Sequence, residues 1–286
     1  MILTFSRVFA SLFHPRLFTS LAFVEPYIGT GDYPGVEKLL QLSTLKRDTW
    51  PSRAVAVEKA RKVFKRWDPR VFELWTEHGY RDLPATSTAD SVTEQNGKDT
   101  PTPPPVTLAT TKHQETLMYA RLAPNNNYAA RGYDEPWYPQ TELVLSGMKS
   151  QDWHLTCRAE ASLSDKMVVY LQPSVLYVSG SRSDHCRNGR HKRLAEKTGT
   201  AFGEGARMSC NRVQHIVIEK ASHSLPQEEV GATAEAVATW MSQQLQEWQR
   251  KERESKSHWE GQLQKSALPS EWISAVEYSR SKPSKI

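Results

Sequence analysis

The sequence predicts an α/β fold, and three observations carry that expectation. Phe18–Val24, Pro173–Gly180 and Val213–Ile218 are short apolar runs of the kind that form buried strands. Segments with apolar residues at helical spacing stand between and after them, the last being Gln227–Trp248 with Val230, Ala234, Val237, Ala238, Met241 and Leu245 on one stripe. Polar residues follow each run: Glu25 the first, Ser183 and Asp184 the second, His223 the third. In open α/β sheets the carboxyl ends of strands are where catalytic groups gather.

The bulk numbers exclude several classes. The chain has 286 residues, enough for one large α/β domain or two small ones. Only 38% of residues are hydrophobic, and no run is long enough to span a bilayer. The net charge of +5 is modest and partly gathered in Arg187–Arg193, which reads as a solvated loop. Nucleic-acid binding would want a basic face interleaved with aromatics, or a recognisable module, and neither is present. Cys157, Cys186 and Cys210 are too few and scattered for a disulfide framework, which points to a reducing compartment.

Met1–Val24 has arginines and no acid, a composition shared with transit peptides. The preferred reading is an amphipathic helix over Ile2–Phe13, a stop at His14-Pro15 and the first strand. Ser52–His78 predicts two helices broken at Asp68-Pro69, because proline cannot continue a helix but suits a first turn. Residues 86–105 are low in complexity and predict a disordered insert. Pro139–Thr156 and Cys157–Val168 predict a helix of weak periodicity, and Arg190–Gly199 a clearer one. Thr200–Ser209 is glycine-rich but precedes a strand, so it is a poor phosphate loop. Glu247–Lys265 extends the last helix as a charged tail.

HPRLFTSLAFVEPYI, from His14 to Ile28, resembles the segment that follows the nucleophile elbow of α/β-hydrolases. WDPRV, YRDLP and VTLATTKHQE follow in order. Over roughly residues 9–248 the chain resembles fungal α/β-hydrolases that include peroxisomal lipase-like proteins and enzymes of host-selective toxin biosynthesis, whose toxins carry an epoxy-decatrienoic acid. The resemblance implies the C-terminal portion of an α/β-hydrolase fold, with parallel strands and a helical lid insertion. The first strands and the elbow are expected to be missing, since G-x-S-x-G should lie about a dozen residues before His14 and none occurs in the chain. The implied divisions are a core piece at 1–51, a lid at 52–160, the C-terminal core at 161–250 and a tail at 251–286.

The resemblance implies His223 as general base, since a neutral imidazole can take and return a proton near neutral pH. A packing role for a loop histidine is the plain alternative. Two carboxylates contend to orient it. The usual place, three residues past the strand's glycine, is Ser183 here, with Asp184 next. Glu25 ends the preceding strand, where some α/β-hydrolases, dehalogenases among them, place their acid, and it is preferred. The Asp184-His185-Cys186…His191 cluster fits no standard zinc spacing, and Cys186 follows the wrong strand to be a nucleophile. Trp67, Trp75 and Trp137 are candidates for a pocket, with core packing the more ordinary role.

The expectation is a hydrolase of an ester, thioester or epoxide of a small lipid-derived acid, with no cofactor and no metal. A truncated, non-catalytic relative that binds a ligand or partner is the competing expectation. Ser284-Lys285-Ile286 resembles the tripeptide address read by the peroxisomal import receptor, which predicts a peroxisomal location.

Overall fold

The computed structural model describes residues 2–14, 17–29, 36–84, 103–124, 144–149, 153–157, 159–202, 211–261 and 268–281. They fall into two compact units, Met1–Met241 and Ser242–Ile286.

The first unit opens with α1 (Ile2–Phe13) and β1 (Ser20–Val24). Next come α2 (Val36–Leu45), β2 (Thr49–Trp50), α3 (Arg53–Val63), α4 (Pro69–His78), β3 (Tyr80–Asp82), β4 (Val106–Leu108) and α5 (Lys112–Leu117). A second run holds β5 (Ala120–Pro124), β6 (Val144–Lys149), β7 (Trp153–Cys157) and α6 (Ala159–Met167). Then follow β8 (Ser174–Gly180), α7 (Asp184–Arg187), α8 (Arg190–Lys197), β9 (Val213–Ile218), α9 (Leu225–Glu228) and α10 (Val230–Trp259), whose last turns belong to the second unit. The second unit also carries α11 (Ser270–Ser281).

The central sheet has the order β1-β8-β9, all parallel, with Val24 opposite Val178 and Gly180 opposite Ile218. SVLYVSG is buried at every position, as a central parallel strand covered on both faces must be. Alternation along the strand divides the core. Val175 and Tyr177 face Leu21, Phe23, Val8 of α1 and Leu194 of α8. Leu176 and Val178 face Ala22, Val24, Leu225 of α9 and Trp240 of α10. Because the three strands run the same way, Glu25, Gly180 and the loop bearing His223 emerge at one edge.

The helical insert follows local rules. Ser52 caps α3 by accepting from Val55 N at 3.4 Å. Asp68 caps α4 by accepting from Arg70 N at 2.9 Å, with Pro69 in the first turn, so the helix pair breaks where the proline demands. Thr111 and Gln114 form a capping box on α5. A small antiparallel sheet, β2-β4-β3, closes the insert over Ala56, Tyr80 and Val106, with Trp50 edge-on to Tyr80.

The helix expected within 139–168 is α6, and before it VLSGMK and WHLTC are β6 and β7, which with β5 make an antiparallel sheet in the order β5-β7-β6. Both runs are shorter than a stable helix needs, and their backbone groups pair with neighbouring strands instead. The last helix runs on into the charged tail. α10 ends at Trp259, and α11 has Glu271 in its first turn and exposed Trp272, Ile273 and Val276. Residues 86–102 of the low-complexity stretch lie outside the described residues, and 103–105 are exposed.

Trp240 is 1% exposed and is the largest side chain on the α10 face of the sheet. Trp240→Ala should therefore lower stability by about 3–5 kcal/mol, read as a shift of the urea midpoint. A loss under about 1 kcal/mol would mean that α10 does not complete this core.

Candidate active site

Glu25 leaves β1 with a φ of 46°, in the left-handed region that a residue other than glycine seldom adopts. Its N–H still donates to Val178 O at 2.9 Å, continuing the sheet ladder for one more residue. The turn sends the side chain over the end of β8, where Glu25 is 7% exposed. Gly180 N donates to Oε1 at 2.6 Å, and Ser183 Oγ donates to Oε2 at 2.7 Å. His223 Nδ1 lies 2.9 Å from the same Oε2.

Burial pushes the Glu25 carboxyl up. The hydrogen bonds from His223, Gly180 and Ser183, with His191 beyond them, push it down and win, so the carboxyl titrates below its ordinary value. An ionised carboxylate only accepts, so His223 Nδ1–H is the donor and Nε2 of the neutral ring carries the free lone pair. The His223 side chain is 61% exposed, which leaves Nε2 accessible. Gly180 is required at the strand end, since a Cβ there would stand 2.5 Å from Ala221 O and 2.6 Å from Ser222 O.

A layer of histidines lies beneath this pair. His191 Nε2 is 3.0 Å from Pro26 O, which can only accept, so Nε2 carries the proton. His191 Nδ1 then accepts from Ser179 Oγ at 2.7 Å, and Ser179 Oγ accepts from His215 Nε2–H at 2.9 Å. This chain anchors the Glu25-Pro26 turn from below. Burial holds His191 and His215 below the ordinary histidine value. The His185 ring lies 5.3 Å from His191 and 5.2 Å from His223. Burial, then the positive charge that His223, His191 and Arg190 can carry, pushes it down to about 3.

Glu25 and His223 open onto a cleft of about 540 Å³, within the range of small-molecule sites. Val24, Tyr27, Met118 and Tyr119 give it apolar and aromatic surface, and α5 and the residues beside it supply Thr110, Gln114 and Glu115. Glu115 is held by the Lys46 ammonium and by Ser43 Oγ at 3.1 Å, so its charge is matched.

The structure thus brings Glu25 to His223 and does not bring Asp184. Asp184 begins α7, its side chain is 68% exposed, and Arg187 lies 3.9 Å away. No hydrogen bond among the described residues joins it to His223. The helical turn after Ser183 directs Asp184 outward while Ser183 points in. Among the described residues no three of His, Cys, Asp and Glu stand as a metal-holding group. Burial and the carboxylates of Glu25 and Glu219 push the Cys186 thiol up, which disfavours the nucleophilic thiolate. Trp67 and Trp75 do not line the His223 cleft. They cluster with Phe64, and Trp67 faces a separate cleft of about 400 Å³. Trp137 and Ser284-Lys285-Ile286 lie outside the described residues. Sequence reasoning missed the donors Gly180 N and Ser183 Oγ. It also missed Ser179, His191 and His215 as one network, because the partners are far apart in sequence.

A parallel sheet covered on both faces, a helical insert after its first described strand and an acid–histidine pair at its carboxyl edge define an α/β-hydrolase fold. The chain superimposes on the peroxisomal α/β-hydrolase Lpx1 of Saccharomyces cerevisiae with a TM-score of 0.54 at 14% identity, covering 96% of this chain and 58% of that one. Its relatives include fungal acyl-CoA thioesterases and abhydrolase domain-containing proteins. It is 27% identical over 256 residues to type I acyl-CoA thioesterase mpaH of Penicillium roqueforti, covering 84% of this chain and 57% of that protein. It is 24% identical over 227 residues to abhydrolase domain-containing protein AFT2-1 of Alternaria alternata, covering 79% and 74% respectively. Against three mpaH-type thioesterases the chain spans 57% to 62% of their length. No protein-family model matches.

Two windows of pH dependence follow. His185, His191 and His215 titrate below 6.5 when folded, so below that pH the unfolded chain binds more protons and stability falls. Glu25 titrates below 4.5 when folded, so its contribution is present above 4.5 and is lost as pH drops through the folded value. The urea midpoint should therefore begin to decline near pH 6.5, and His185→Phe should flatten the first part of that decline. A midpoint constant from pH 7.5 to 5 would contradict neutral buried histidines.

Proposed function

We propose that this chain carries the acid–base machinery of an α/β-hydrolase acting on an ester or thioester of a small lipid-derived acid. The single observation behind the proposal is the 2.9 Å contact between Glu25 Oε2 and His223 Nδ1 at the mouth of a cleft on the sheet's carboxyl edge. His223 Nε2 takes a proton from a water molecule as the water oxygen bonds to the acyl carbon. Glu25 stays ionised, holds the ring in the Nδ1–H tautomer and stabilises the imidazolium. His223 then gives the proton to the leaving alkoxide or thiolate as the acyl C–O or C–S bond breaks. An epoxide fits the same scheme, the proton going to the oxygen of the opened ring.

The acyl class is supported by the names of the thioesterase relatives and by the apolar and aromatic walls at Val24, Tyr27, Met118 and Tyr119. The resemblance carried by WDPRV, YRDLP and VTLATTKHQE supports a finer reading, a step in fungal secondary metabolism on an epoxy-decatrienoic type of toxin acid. One observation favours a second reading, a non-catalytic relative that binds a ligand: no G-x-S-x-G occurs among the 286 residues.

Purified protein assayed on p-nitrophenyl esters of graded chain length and on an acyl-CoA decides between them. The hydrolase reading expects turnover that His223→Ala reduces by roughly 10³-fold or more. Wild-type turnover no higher than that of His223→Ala would leave the ligand-binding reading.

A peroxisomal location is part of the proposal, supported by Ser284-Lys285-Ile286 and recognition by the import receptor. A fluorescent protein fused at the amino terminus should enter peroxisomes and become diffuse when the three residues are deleted. Diffuse fluorescence from both versions refutes the address.

A further inference from the structure

The proline and acidic pair after His223 leave one buried carboxylate with no part in the scheme above. Glu228 closes α9, and its side chain is 8% exposed. Instead of facing water, it folds back onto the loop that carries His223. Ser222 N donates to Glu228 Oε2 at 2.7 Å, and Ser222 Oγ donates to Oε1 at 2.9 Å. Ser224 N donates to Ser222 Oγ at 3.2 Å. The residues on both sides of His223 are thereby tied to one carboxylate, directly or through one hydroxyl.

The other side of that carboxylate is held by the helical insert. Arg66, in the connection between α3 and α4, donates from Nη2 to Glu228 Oε2 at 3.1 Å and to Lys220 O. Asp68 N donates to Gln227 O at 2.8 Å. Lys220 itself has a φ of 65°, a conformation the loop sustains only under such restraint. Its N–H donates to Ser181 Oγ at 2.9 Å, and Arg182 N donates to Ala221 O at 2.9 Å. The loop is thus fixed to the end of β8 on one side and to the insert on the other.

We propose that Glu228 is a positioning residue for His223, and that Arg66 couples this positioning to the helical insert. The proposal rests on the reading of His223 and Glu25 as a base and its acid. A shift of the insert moves Arg66, loosens the grip of Glu228 on Ser222 and lets the imidazole leave Glu25. The His223 tautomer is then set from the insert as well as from the strand end.

The test reads the tautomer of His223 by ¹⁵N imidazole NMR in the full chain, above the ordinary histidine titration range, and needs no turnover. Wild type should show His223 as the Nδ1–H form. Glu228→Ala should raise the Nε2–H population by about tenfold, the scale of one lost hydrogen bond to a charged group. Arg66→Ala should move it in the same direction by less. Should Glu228→Ala not fold, Glu228→Gln carries the test: it keeps an acceptor for Ser222, loses the charge opposite Arg66 and should give an intermediate shift. Val8→Ala, in the core on the other face of the sheet, should lower stability without moving the tautomer. Glu25→Gln separates the two ideas. If it shifts the tautomer while the Glu228 and Arg66 variants do not, Glu228 is only structural and this proposal is overturned. If Glu25→Gln shifts nothing, the acid–base pairing itself fails.

Discussion

The carboxylate of Glu25 is the point on which this edge of the molecule depends. It belongs to β1, yet its hydrogen-bond donors come from the end of β8, the turn after β8 and the loop after β9. One side chain therefore joins the ends of all three parallel strands. Its burial alone disfavours the charge, and the donors around it restore it. A neutral side chain of the same shape would keep the packing, but it would lose the charge that fixes the imidazole.

That carboxylate can stand where it does because the sheet beneath it is rigid. β8 is buried on both faces, and its alternating side chains set two cores against opposite helix layers. Tyr177 adds an internal hydrogen bond, 2.8 Å from its hydroxyl to Thr198 Oγ1, and burial raises its phenol well above the ordinary range. Ser179, two residues on, faces the same layer and serves the histidine network. A central strand thus passes from apolar packing to polar organisation within three residues, at the edge where the cleft opens.

The strands of the main sheet were legible because each is a short apolar run bounded by polar or proline-containing turns. The helix break at Asp68-Pro69 was legible because proline acts locally. Glu25 and His223 could be singled out because a strand's carboxyl end is a position that sequence reveals. The β6–β7 pair was not legible, since VLSGMK and WHLTC carry glycine, lysine and histidine in place of the β-branched or alternating runs that mark a strand. Ser183 was marked only as the place where an acid would ordinarily stand. That its hydroxyl instead donates to the acid on the neighbouring strand is a fact of register, which periodicity does not carry. His191 and Glu228 were hidden for the same reason: one read as part of a basic loop, the other as the start of a helix.

Several arrangements at this edge each oppose stability. Glu25 and Lys220 occupy left-handed backbone conformations. A carboxylate is buried, and His185 and His191 are kept neutral in the interior. A chain shaped only for stability would place glycine at the turns and apolar residues beneath them. Glu25 and His191 each have partners that offset this cost: Gly180, Ser183 and His223 for Glu25, and Ser179 and Pro26 for His191. Strain and buried polarity that are locally unfavourable, yet matched by hydrogen bonds at Glu25 and His191, converge on one exposed imidazole, and it is this convergence that the proposed acid–base role draws on.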